Sequence, residues 1–170
     1  MKYSNAIATV RKQEELLQFE TFSHKDAWDL GMIMADEAAN CGFESTIVSI
    51  RLSNGANVFQ YMSGNCAPVS DKWITRKEST VAMTGHASIL IHLNTENLGT
   101  TIEDEGLDPI DETIYGGGFP IVVKGTGIVG VALCSGLEQD TREHNLLVKS
   151  LSRYLNVEVP VWDSEEPYTK

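Results

Sequence analysis

The sequence is poor in cysteine, in basic residues and in long apolar runs. Its three cysteines, Cys41, Cys66 and Cys134, are odd in number, widely spaced and form no CxxC pair. Neither a disulfide framework nor a local zinc site follows from them. Thirteen lysines and arginines face twenty-four aspartates and glutamates, a formal charge of −11. That sign opposes binding to nucleic-acid phosphates or anionic membranes, so neither is an expected partner. No apolar stretch approaches the length of a membrane span, and the opening MKYSNAIATVRKQEELLQFE holds no apolar signal core. The expectation is a cytoplasmic protein. The glycine run at residues 115–120 fits neither nucleotide loop, GxGxxG or GxxxxGK, and the nucleophile elbow GxSxG and HExxH or HxxxH spacings are missing from the sequence.

What is present is an ordinary globular composition. The 170 residues are 42% apolar and 22% charged, enough for one domain, residues 1–170, with its own core. Residues 4–20 carry helical spacing. A second helix follows Ser23 as cap, with Asp26 at its third position and Ala27, Leu30, Met34 and Ala38 along one face. STIVSIRLSNGANVFQYM is a hairpin signal, because Asn54-Gly55 tolerates the positive φ of a tight turn. Residues 70–85 suggest a third helix capped by Ser70. ASILIHL suggests a short strand, and residues 93–112 an acidic loop. FPIVVKGTGIVGVALCSG is a second hairpin with apolar residues on both faces. Residues 138–155 form an amphipathic helix, on which Asp140 and Glu143 make a box-like cap. The tail, 156–170, is acidic. Hairpin-joined strands flanked by helices predict an α+β fold with an antiparallel sheet.

The stretch YGGGFP, residues 115–120, feeds a strand rather than a helix. It therefore lacks the helix dipole of a phosphate loop. Two readings remain: a bare backbone wall that lets a ligand approach Gly116, Gly117 and Gly118, or a tight turn leading into an edge strand. Spacing favours the second.

YGGGFPIVVKGTGIVGVALCSGLEQDTREHNLLVKSL resembles the signature of the GlcG/HbpS-like, so-called haem-degrading domain family. RLSNGANVFQYMSGNCAPVSDKWITRKESTV resembles the matching segment of its small cytosolic branch. The resemblance covers about residues 22–155. It implies a profilin-like α/β/α sandwich around an antiparallel sheet of about five strands, and a homo-oligomer. It also implies a pocket between the glycine turn, the Trp73 helix and the last helix. Haem is the ligand implied by one branch. Tyr115 stands where the family has a histidine, and Ser70 where it has an asparagine. Glu143 and His144 match its last acid and histidine.

These residues are the candidates for a small-molecule site. His144, in the first turn of the last helix, could ligate iron as a neutral imidazole. Trp73 offers a flat face, and Arg76 or Lys77 beside it could hold a carboxylate. Arg51 ends a strand that could reach the same cleft, and Ser135 closes a strand-to-helix turn. Tyr115 could supply a phenol as haem ligand or as proton donor. The binding function expected is of a planar or anionic ligand, haem-type or a metabolite. The alternative is an oligomeric adaptor whose glycines and Trp73 serve packing. Cys134 is expected to be a buried thiol, and the acidic loop a solvated run.

Overall fold

The computed structural model describes residues 2–162, so the end of the acidic tail lies outside the described residues. The elements follow as α1 (Ser4–Leu16), α2 (His24–Asn40), β1 (Ile47–Leu52), β2 (Asn57–Met62), α3 (Val69–Thr84), α4 (Ser88–Leu98), β3 (Gly118–Val123), β4 (Gly127–Ser135) and α5 (Asp140–Leu155). A one-turn 3-10 helix, Glu103–Glu105, lies between α4 and β3. The sheet order is β2-β1-β4-β3, antiparallel throughout. The α+β class holds, with four strands rather than about five.

The missing strand is α4. ASILIHL folds as the start of a helix that packs against α1, α3, α5 and β3. Its residues 88–93 are all buried, so an apolar run without polar alternation carries no helical period to read. The helix ends at Gly99, whose φ of +70° is left-handed.

Period-two alternation along β1 and β4 divides the core between two layers. Ile47, Val131 and Leu133 point to Ile74 and Val81 of α3. Val48, Ile50, Ala132 and Cys134 point the other way, into a cluster with Leu30 and Met34 of α2 and Leu147 and Leu151 of α5. α2 starts as expected: Ser23 accepts from the Asp26 amide, and the Asp26 side chain accepts from Ser23 in return. Two other caps differ. α3 is preceded by Pro68, with Ser70 inside the helix, and α5 by Gln139, with Asp140 and Glu143 turned to other partners.

The two sheet edges are unlike. β3 carries Pro120, and Phe19 bridges it: Phe19 N–H donates to Val122 O at 2.8 Å and Lys124 N–H to Phe19 O at 2.9 Å. β2 has no such strap among the described residues.

Candidate functional site

The glycine turn is squeezed between α3, α4 and the start of α5. A Cβ on Gly116 would stand 2.3 Å from Asp140 O. One on Gly117, at φ +108°, would stand 2.2 Å from Cys134 O and 2.9 Å from Lys77 Nζ. Only glycine fits at either position. Three of the turn's backbone groups are spent internally. Gly116 N–H donates to Asp140 Oδ2 at 3.1 Å, Gly118 N–H to Ser88 Oγ at 3.0 Å, and Gly117 O accepts from Cys134 N–H at 2.8 Å. None of the three glycines lines the adjacent cavity. The turn serves close packing and the lead into β3.

Two carboxylates from the first turn of α5 are tied to this turn. Lys77 is buried; its Nζ donates to Cys134 O at 2.9 Å and is ion-paired with Glu143 Oε2. The other Glu143 oxygen accepts from Gly136 N–H at 2.7 Å and Leu137 N–H at 3.2 Å, which closes the β4–α5 turn. Burial raises the Glu143 carboxyl above its ordinary value, against the opposing pull of Lys77 and these amides. Burial would raise Asp140 as well, but His92 and the Gly116 amide outweigh it, so Asp140 stays below the usual carboxylate range. His92, on α4, meets Asp140 Oδ2 through Nδ1 at 3.2 Å.

Above these charges stands an aromatic wall. Trp73 and Tyr115 are 40% and 50% exposed, with ring centroids 6.3 Å apart. His92 meets the Tyr115 ring edge-on at 5.5 Å. The wall borders a cavity of about 790 Å³, at whose surface Lys77, Ser135, Asp140 and Glu143 also lie. Lys2, Glu96 and Glu138, all exposed, complete the charged part of its lining.

Of the sequence candidates, Trp73, Lys77, Tyr115 and Ser135 border this cavity. The others do not. Arg51 points from the α3 face of β1 to Asp71 at 2.7 Å and Glu78 at 2.9 Å. The Arg76 guanidinium stacks 4.8 Å from the Trp73 ring centre and donates to Pro109 O at 2.7 Å and Glu112 O at 3.0 Å. It straps the acidic loop to α3. Glu112 is accordingly buried, bonded to Ser79 and to the Asp108 amide, rather than solvated.

His144 is fully buried beside Phe119, and it lies outside the cavity lining. Gln13 donates its Nε2 to Pro160 O, so its Oε1 faces His144 Nε2 at 2.8 Å and must accept. The histidine is therefore the neutral Nε2–H tautomer. Burial lowers its pKa to about 4. Its Nδ1 lone pair is buried without a hydrogen-bond partner among the described residues, and the ring stands outside the cavity lining, so it does not have the position for a ligand there. His92, Asp140 and Glu143 are the groups that sequence reading assigned elsewhere. Cys134 is buried, and burial holds its thiol well above its usual pKa. Among the described residues no cluster of three or more His, Cys, Asp or Glu is placed to hold a metal, and no helix is long and apolar enough to cross a membrane.

A family model described as haem degrading protein HbpS-like matches residues 22–151. The chain belongs to this HbpS-like family. A UPF0303 protein of Streptomyces coelicolor is 35% identical over 88% of the chain and 93% of its own length. One of Rhizobium etli is 34% identical over 91% and 93%. The HbpS-like chain is also similar to the crystal structure of the Ybr137w protein, at 26% identity, 90% coverage of each chain and TM-score 0.80. Crystal structures of HbpS (16%, covering 81% and 92%, TM-score 0.62) and of a PduOC–haem complex (16%, 84% and 99%, 0.60) share the fold.

Proposed function

We propose that the chain is a binding domain for a small planar molecule, held in the cavity against Trp73 and Tyr115. The observation that carries this reading is the pair of half-exposed rings at the wall of a 790 Å³ cavity with buried polar groups in its lining. Exposed aromatics with a few fixed polar partners are what ligand sites use. No reaction is assigned.

Haem, named by the family's description and by one similar structure, fits in one respect and fails in two. The Tyr115 phenol at the wall is a residue type that ligates haem iron. His144 is out of reach, and the exposed carboxylates of the lining, Glu96 and Glu138, oppose a macrocycle's propionates. The cavity supports a planar ring, and what supports haem in particular is the family description, the similar PduOC–haem complex and the Tyr115 phenol.

Isothermal titration with quinoline, a flat neutral probe, tests the reading. One site is expected, weakened about tenfold or more by Trp73→Ala, since stacking on one ring contributes about 1–3 kcal/mol. No binding, or binding by both Trp73→Ala and Tyr115→Ala as strong as that of the native protein, would overturn it. A saturable hemin Soret shift, lost in Tyr115→Phe, would restore haem.

A second reading, assembly of copies, has its own support. Trp28, Met32 and Tyr61 are exposed around a groove of about 510 Å³ beside β2, an edge strand whose six residues carry no charge. A second copy pairing along β2 would cover both the groove and the edge. Sedimentation should then show a smaller species for Trp28→Glu than for the native chain; equal sizes would reject this face.

A further inference from the structure

We infer that the ligand of this cavity is a planar cation, an inference that rests on the planar-ligand reading and adds the charge class. Four carboxylates line the cavity, Glu96, Glu138, Asp140 and Glu143, against two ammonium groups, Lys2 and Lys77. Lys77 and Glu143 neutralise each other as a pair, which leaves Glu96, Glu138 and Asp140 against Lys2, itself 5.2 Å from the Tyr3 ring centre. Asp140 is engaged by His92 and the Gly116 amide but keeps its charge. Glu96 and Glu138 stand exposed at the lining with the chain's net −11 behind them. Negative potential concentrated in a cleft attracts cations and repels anions.

The aromatic wall independently asks for the same sign. Indole and phenol faces carry negative quadrupole charge and attract cations within about 6 Å of the ring centre. The Trp73 ring already has one cation in this position, Arg76, which is hydrogen-bonded to the acidic-loop carbonyls and does not line the cavity. Tyr115 is half exposed and has no cation on its ring among the described contacts. A flat aromatic carrying a quaternary or protonated nitrogen would combine stacking with both sources of negative potential. A flat carboxylate would gain the stacking and lose on charge.

Two probes of matched shape separate the cases: N-methylquinolinium and quinoline-2-carboxylate, titrated calorimetrically into the native protein, with neutral quinoline as reference. The cation should bind about tenfold or more tightly than the anion at low ionic strength. The preference should shrink as salt rises from 0.01 M to 0.15 M and the screening length falls from about 30 Å to about 8 Å. Glu96→Gln and Glu138→Gln should each weaken the cation about two- to fivefold, and leave quinoline unchanged. Quinoline binding with equal or better binding of the carboxylate would overturn the charge class and leave the planar site standing. If none of the three probes binds, the planar site fails too.

Discussion

Lys77 and Glu143, 66 residues apart in sequence, meet as a buried ion pair beneath the aromatic wall, and Gly117 is what lets them close. The pair joins α3 to the first turn of α5, so the cavity's two helical sides are fixed to each other. Removing one partner leaves the other charge buried alone. Lys77→Met is expected to cost about 3–5 kcal/mol of stability by urea denaturation. Adding Glu143→Gln should recover a good part of that loss. A single-variant loss under about 1 kcal/mol would contradict the burial described.

The glycines differ in what they tolerate. Gly117→Ala would force a Cβ to within 2.2 Å of the Cys134 carbonyl at a left-handed φ, and should cost about 3 kcal/mol or more. Gly42 has a similar φ, +83°, and nothing within 4 Å, so Gly42→Ala should cost only about 1–2 kcal/mol. Similar melting temperatures for the two variants would refute the squeeze on the turn.

His144 makes stability depend on pH. Its folded pKa, about 4, lies below its ordinary 6.5, so the unfolded chain binds the extra proton first. The stability from keeping it neutral is complete above pH 6.5 and is lost as pH falls toward 4, by about 3 kcal/mol in all. Glu143, raised by burial, works with the opposite sign, its contribution fading as pH rises through its folded value. Asp140, lowered, adds losses only at the acid end. The difference between native protein and His144→Phe isolates the histidine. That difference should change by about 3 kcal/mol between pH 7 and pH 4; a constant difference would remove the histidine from the account.

Much of the fold was legible because its signals are local. The Ser23–Asp26 box, the Asn54-Gly55 turn and the four-residue spacing of Leu30, Met34 and Ala38 each lie within a few residues. α4 was not, since burial on all sides erases periodicity. At the site, residue type pointed to Trp73, Lys77 and Tyr115, and family resemblance pointed to His144, which packs elsewhere. Asp140 and Glu143 looked like caps because their partners, His92 and Lys77, are 48 and 66 residues away. Such pairings leave no trace in spacing. YGGGFP leads into β3 as its position in the sequence suggests, but the need for its glycines lies in the Asp140 and Cys134 carbonyls, which only the fold brings near.

The central claim is that a planar ligand sits on Trp73 and Tyr115, and a crystal structure of the protein grown with N-methylquinolinium tests it most directly. The account predicts density for a flat ring within about 4 Å of both side chains. A ring seated instead in the groove of Trp28, Met32 and Phe59, with the Trp73 cavity holding only water, would contradict it.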